Sequence, residues 1–265
     1  MFLNKTTVIT SDLEYGYPVF CTTIIAFSAF NKIVSLISIP ALVGTDPCTW
    51  RNLIVSGIHG LIAGIWGCLC LLLYPELIED QYTASNPFIY HMVVFCSGYF
   101  VYDFIDHFIN GKSLQQWEVT LHHIACIAIF WHNWHTRTFI GYSCIALLTE
   151  GNSFFLHSRK LLRICKIGYE SILYRVCVVL NFVTFILFRV LPIMIVFHGC
   201  YVTYYRHPNL FVVSMTTLCT VIVAVVNSVL LWRLCKTDII IPYYRRVKTR
   251  DIKQQLENNN SKKID

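Results

Sequence analysis

The sequence predicts an all-α fold, a polytopic transmembrane helical bundle of about six or seven spans. Three observations carry this. The chain is 55% hydrophobic and only 14% charged, against about 25% charged in a water-soluble domain, and its mean hydropathy is +0.56. The apolar residues gather into stretches of roughly 20, the length a helix needs to cross a bilayer. Lys and Arg are concentrated in alternate loops, as the retention of positive charge on the cytoplasmic side requires.

In chain order the stretches are Gly16–Ile39, Asn52–Leu73, Phe88–Phe108, Val119–Trp134, Thr138–His157, Ile172–His198 and Leu210–Trp232. The first, second and last are the clearest. The fourth is short and the third to sixth carry polar residues, so five or six spans also fit. With seven spans, one set of loops holds Arg51, Lys112, the cluster Arg159, Lys160, Arg163 and Lys166, and the basic residues Arg233, Lys236, Arg245, Arg246, Lys248 and Arg250. The other set holds only Lys5, Arg137 and Arg206, with the acidic segment Glu76, Glu79 and Asp80. The first set is therefore expected to be cytoplasmic. The chain divides into an extracellular N-terminus (1–15), a membrane domain (16–235) and a cytoplasmic basic and polar tail (236–265).

The net charge of +6 thus concerns orientation and not nucleic acid. Basic residues beside the last span also suit anionic headgroups, or serve topology alone. The sequon Asn4-Lys5-Thr6 falls on the outer side, and a second, Asn259-Asn260-Ser261, would be cytosolic and unused. No basic-then-apolar leader with a small-residue cleavage site opens the chain, so no removed signal peptide is expected. The twelve cysteines lie mostly inside apolar runs, where free Cys acts as a small hydrophobe. There is no internal repeat.

Acid and imidazole interrupt the middle of this apolar chain: Tyr99, Asp103, Asp106 and His107, then Trp117, Glu118, His122 and His123. An ionisable group within a span costs about 2.5–3.5 kcal/mol on insertion scales unless it finds a partner. Residues three, four, seven or eight apart share a helix face, so Tyr99, Asp103, Asp106 and His107 form one stripe on the third span. Glu118 and His122 share a face of the fourth. The antiparallel pair sets both stripes at matching depth, in the cytoplasmic third. Glu150, Ser153 and His157 share a face of the fifth span, and Asn181, Phe185 and Arg189 repeat at four on the sixth. Glu150 and Arg189 both fall near mid-membrane and are candidate partners of one another.

Structural readings stand beside these. Asp103 and His107 can satisfy each other within one helix, Tyr99 can simply bond Asp103, and His59, His91 and His198 read as packing histidines. A metal centre is disfavoured: His122 and His123 diverge by about 100° around the helix, and the HxxxH and HxxHH runs of membrane di-iron oxygenases are missing. No GxSxG elbow supports a serine hydrolase. Acid–base chemistry fits better, because a His beside a carboxylate can activate a hydroxyl or amine and later return the proton.

At these residues the chain resembles the TLC-domain family, which includes ceramide synthases and translocating-chain-associating membrane proteins. The resemblance rests on Tyr99-xxx-Asp103, Trp117-Glu118 followed by His122-His123, Glu150-x-Asn152-Ser153 and Asn181-xxx-Phe185-xxx-Arg189, and covers roughly residues 45–235. Glu150–Arg159 (EGNSFFLHSR) and Phe185–Pro192 (FILFRVLP) are most similar to the branch of TLC domain-containing proteins 1 and 2. The resemblance implies a multi-pass plasma-membrane protein, with the endoplasmic reticulum as the alternative, that influences phospholipid acyl composition and membrane fluidity. His122 and His123 correspond to the histidine pair that ceramide synthases use in acyl transfer from acyl-CoA. Their downstream Arg-His-Asp-xx-Asp has no counterpart here, where Glu150 and Asn152 stand instead, which argues against ceramide synthesis.

Three functions remain as alternatives. The first is acyl transfer on a phospholipid such as phosphatidylethanolamine, with His122, His123, Asp103 and Asp106 catalytic and Tyr99, His107, Trp117, Glu150 and Arg189 binding substrate. It needs no bound cofactor or metal, and acyl-CoA is a possible co-substrate. The second is a non-enzymatic regulator that binds membrane phospholipid in the same cavity. The third, a transporter, fits least, since the polar residues gather on one side and no inverted repeat is present.

Overall fold

A computed structural model describes residues 5–37, 46–111, 117–206, 210–244 and 247–252. Helices account for the ordered elements: α1 (Lys5–Ser35), α2 (Pro47–Leu73), the short α3 (Glu76–Glu79), α4 (Pro87–Ile109), α5 (Trp117–Thr136), α6 (Ile140–Leu147), α7 (Glu150–Ile164), α8 (Ile172–Phe185), α9 (Leu191–Arg206) and α10 (Leu210–Cys235). Among the described residues no strand occurs. The all-α bundle expected from the sequence is what forms. By length and composition, Tyr15–Ser35, Pro47–Leu73, Pro87–Ile109, Ile172–Tyr205 and a helix that begins at Val213 are able to cross a membrane. The expected fourth span, α5, is helical over 20 residues but carries four histidines. Lys112, Arg245, Arg246 and both sequons' asparagines lie outside the described residues, as does the side chain of Glu118.

Helix starts obey the local sequence. Asp46 caps α2 by accepting from the Cys48 and Thr49 amides at 3.4 and 3.2 Å, and Pro47 opens the first turn, where its missing N–H costs nothing. Asn86 and Pro87 repeat the device on α4, with the Ile89 amide 3.0 Å from Asn86 Oδ1. The left-handed Gly111 (φ +66°) comes just after the end of α4.

Two breaks depart from the expected spans. Thr138–His157, read as one span, is α6 and α7, joined by tightened bonds from the Leu148 amide to Ile145 O (3.2 Å) and from the Thr149 amide to Ala146 O (3.1 Å). The sixth span holds a π turn, Ile186–Val190, between α8 and α9. Such a turn adds a residue to the helix circuit and rotates the helical segment beyond it.

The folding unit Met1–Val223 contains the core. α4 is the most enclosed of the long helices, packed between α1, α2, α5 and α6. α2 meets α7 through glycine. A Cβ on Gly64 would stand 2.6 Å from Gly151 Cα, and one on Gly60 2.9 Å from Glu150 O and Phe154 N. Small residues let backbones approach where lipid offers no hydrophobic drive. The outer face of α8 is apolar and exposed, through Val176, Val179 and Val183. The second unit, Ala224–Asp265, carries the rest of α10, a π turn over Lys236–Ile240 and exposed Tyr243 and Tyr244.

The glycine contact is open to test. Gly64→Val should lower the melting temperature in detergent and the yield of folded protein, since the clash is with backbone and overpacking costs about 1–3 kcal/mol or more. Gly57→Ala should be tolerated, because its Cβ would meet His157 Cβ at an ordinary 3.6 Å. Equal melting temperatures for Gly64→Val and the parent would refute the account of this interface.

Candidate functional site

The site is built on α4. Tyr99, Asp103 and His107, each four apart, face inward and are all buried. Asp103 is the hub. Its Oδ1 accepts from Asn52 Nδ2 of α2 at 2.8 Å, and its Oδ2 lies 3.3 Å from His123 Nε2 of α5. His107 Nδ1 donates to the Asp103 carbonyl at 3.0 Å and stands 3.6 Å from Oδ1. The intrahelical pair and the pairing across helices therefore coexist. Since a carbonyl only accepts, a proton of His107 sits on Nδ1.

The two adjacent histidines part company, as their 100° separation requires. His123 points to Asp103, with its Nδ1 left without a hydrogen-bond partner. His122 turns to the other side, 5.8 Å away by ring centroids. There it touches Cys126 Sγ at 3.7 Å and stands edge-on to Phe100. It lines a mostly apolar cavity whose walls include Phe130, Ala146, Val196 and Cys219. Along α5 the cavity runs from His122 to Asn133, about 16 Å at the helical rise. Its far end is polar and tied down. Asn133 Nδ2 donates to Ser143 Oγ at 2.9 Å, and Tyr142 and Thr203 share a hydroxyl contact at 2.6 Å. Asn133 also reaches the carbonyl of Phe139 at 3.4 Å. Phe139 is held at φ +58° in the α5–α6 turn.

A second polar centre lies on α7 and the π turn. Arg189 Nε donates to Asn152 Oδ1 at 2.7 Å, and Nη2 to Ser153 Oγ at 2.9 Å. Asn152 Nδ2 donates in turn to Asn181 Oδ1 (3.0 Å) and Thr184 Oγ1 (2.9 Å). The charge of Glu150 interacts with that of Arg189, and Glu150 Oε2 lies 3.8 Å from His59 Nδ1.

Of the residues expected from the sequence, the structure brings Tyr99, Asp103, His107 and His123 together, sets His122 on the cavity, and places Glu150 and Arg189 in the second centre. Asp106 does not join them. Its Oδ1 accepts from Asn31 Nδ2 of α1 at 2.9 Å, on another side of α4. Trp117 opens α5 and is 56% exposed. Sequence reasoning missed the cavity, which depends on five helices meeting, and also Asn52, Ser56 and His59. Their spacing of four and three on α2 was a legible signal, a buried polar face in an otherwise apolar span. Asp103, His107 and His123 bring ligand atoms within 4.8 Å of one another, the single such group among the described residues. As arranged, Asp103 Oδ1 is engaged by Asn52 and His107 Nδ1 by the backbone.

Two measurements test this arrangement. Arg189→Met should destabilise the folded protein by about 3–5 kcal/mol, the usual cost of removing one partner from a buried charged network, read as a drop in detergent melting temperature. A mild loss would show the network to be solvated. Prolonged treatment with a chelator should leave the melting temperature unchanged, and a fall reversed by zinc would overturn the sequence expectation that Asp103, His107 and His123 hold no metal.

The family model of the TLC domain matches residues 49–236. TLC domain-containing protein 2 of Danio rerio is 32% identical over 212 residues, covering 80% of this chain and 85% of that protein. TLC domain-containing protein 1 of Rattus norvegicus is 32% identical over 183 residues, 68% of this chain and 74% of that protein. The human TLC domain-containing protein 1 is 31% identical over the same shares. No solved structure matches the chain. With its family pattern spread over α2 to α10, the chain belongs to the TLC-domain family.

Proposed function

We propose that this protein handles membrane lipid, admitting an acyl chain to the cavity beside His122 and so regulating the acyl composition and fluidity of its membrane. The observation that carries the reading is the division of labour between neighbouring histidines. His122 borders an apolar cavity, while His123 is held by the Asp103 carboxylate at 3.3 Å. An acyl chain suits the cavity walls, and its polar carbonyl end suits the imidazole side. The loop charges put the Asp103 end of α4 on the cytoplasmic side, where acyl-CoA is available as co-substrate. Phosphatidylethanolamine is the proposed acceptor and the plasma membrane the proposed location, with the endoplasmic reticulum as alternative.

In the catalytic form of this reading, His123 takes the proton of the attacking amine or hydroxyl. The nucleophile then bonds to the thioester carbonyl, the carbon–sulfur bond breaks, and the protonated His123 returns its proton to the leaving thiolate. Asp103 orients His123 and balances its charge, as carboxylates do for catalytic imidazoles. Asn52 in turn fixes Asp103. Tyr99, His107, Glu150 and Arg189 shape the polar surroundings. Asp106 is assigned to the α1 contact and not to proton transfer.

A second reading, binding without turnover, is favoured by Glu150 and Asn152, which stand where ceramide synthases carry an aspartate pair. Liposome reconstitution separates the two. With labelled acyl-CoA and phosphatidylethanolamine, the parent should transfer label, and His123→Ala and Asp103→Asn should lose about 10²–10⁴-fold, the range for general-base removal. No transfer by the parent, with a cellular phospholipid profile that still changes in His122→Ala, would establish the binding reading. Unaltered profiles in all three variants at normal protein levels would sink any lipid role for the site.

A further inference from the structure

Cys126 takes no part in the steps above, yet it stands beside the groups that perform them. Its Sγ is 3.7 Å from both ring nitrogens of His122, and both side chains line the apolar cavity. A thiol and an imidazole four residues apart are ordinary neighbours on a helix. What sets this pair apart is its place, on the wall of the space that receives the acyl chain. Cys126 is buried and His122 partly so. A thiolate is a strong nucleophile, and an adjacent base is one of the ways to form it.

The helix sets this thiol between the two histidines. At about 100° per residue, Cys126 lies about 40° around α5 from His122 and about 60° from His123. It is about one turn further along, roughly 6 Å beyond His122 and 4.5 Å beyond His123. The two imidazoles face different sides, with centroids 5.8 Å apart, so an acyl group beside His122 is turned away from the Asp103–His123 pair. A group carried on Cys126 stands between them. His123 has Nε2 toward Asp103 at 3.3 Å and Nδ1 without a hydrogen-bond partner, which leaves that second nitrogen to take a proton.

We propose that Cys126 carries the acyl group, taking it from acyl-CoA as a thioester before the acceptor lipid receives it. The proposal rests on the acyl-transfer reading and divides its single displacement into two. In the first, His122 takes the S–H proton and Sγ bonds to the carbonyl carbon of acyl-CoA. The bond from that carbon to the CoA sulfur breaks, and His122 passes the proton to the leaving thiolate. One thioester replaces another, so the exchange needs no further reactant. In the second, His123 takes a proton from the amine or hydroxyl of the acceptor, and this nucleophile bonds to the same carbonyl carbon. The carbon–Sγ bond breaks and His123 returns the proton to Sγ. The cavity holds the chain through both steps, and CoA leaves before the acceptor enters.

The adduct can be sought in the parent protein itself. In liposomes of phosphatidylcholine, which has no amine or hydroxyl to accept the chain, the parent is mixed with radiolabelled palmitoyl-CoA, quenched in acid and digested. Cys126 should carry a hydroxylamine-labile palmitoyl group, and the exposed Cys21 should not. His122→Gln should slow its formation about 10²-fold or more, as loss of a general base does. Adding phosphatidylethanolamine should discharge the label with a matching gain of acylated lipid, and the steady state should follow ping-pong kinetics. Cys126→Ala should abolish both adduct and transfer. Label that reaches Cys21 equally, that ignores His122→Gln, or that the acceptor fails to discharge would overturn the proposal. Transfer to lipid without an adduct, or by Cys126→Ala at the parent's rate, would overturn it and leave the acyl-transfer reading standing. Absence of both adduct and transfer in the parent would bring down that reading and the proposal together.

Discussion

The structure depends on one constraint, that a carboxylate enclosed among apolar helices must be surrounded by donors. Asp103 is 3% exposed and meets this demand from three helices: Asn52 on α2, its own neighbour His107 on α4 and His123 on α5. Breaking such a set leaves an uncompensated charge, which costs more than the set itself gains. The same contacts therefore fix the register of α2, α4 and α5 against one another. The position of His123 results from this, and the position of His122 results from that of His123.

Close backbone packing supplies the rest. Without Cβ atoms at Gly60 and Gly64, α7 can lie directly against α2, and this is what carries Glu150 to within 3.8 Å of His59. The break between α6 and α7 turns Glu150, Asn152 and Ser153 toward the interior. The π turn brings Arg189 into line with Asn152 and Ser153. A straight α-helix through Ile186–Val190 would aim that guanidinium elsewhere. The two polar centres are thus consequences of helix irregularities and of glycine, more than of any one ionisable residue.

Much of this is legible in the sequence. The spacing Tyr99–Asp103–His107 places those side chains on one face, and the 100° divergence of His122 and His123 foretells that only one joins them. Asp106 shows the limit of such reasoning. Three residues from Asp103, it shares a broad face by periodicity, yet Asn31 of α1 claims it, and no pattern within α4 could reveal a partner 75 residues away. Trp117 opens α5 and is exposed, because a motif position says nothing about which way a helix start faces. Glu150 and Arg189 fall in one neighbourhood by residue count, but Asn152 and Ser153 as intermediaries depend on the π turn, which hydropathy does not register. His59 reads as a packing residue because a single histidine in an apolar span carries no period of its own. Its signal lies in company with Asn52 and Ser56. The cavity has no linear signature at all, since its walls come from five helices.

These features set an apolar cavity on one side of α5 and a bonded acid–imidazole set on the other. The central claim is that lipid acyl chains enter the cavity beside His122. Photolabelling in bilayers with a phospholipid that bears a diazirine along its acyl chain tests this most directly. The expected result is label on the cavity residues Ala125, Ile129 and Ala146, diminished by excess unlabelled phospholipid. Label confined to the exposed residues Val179 and Val183 of α8, and indifferent to competitor, would contradict it.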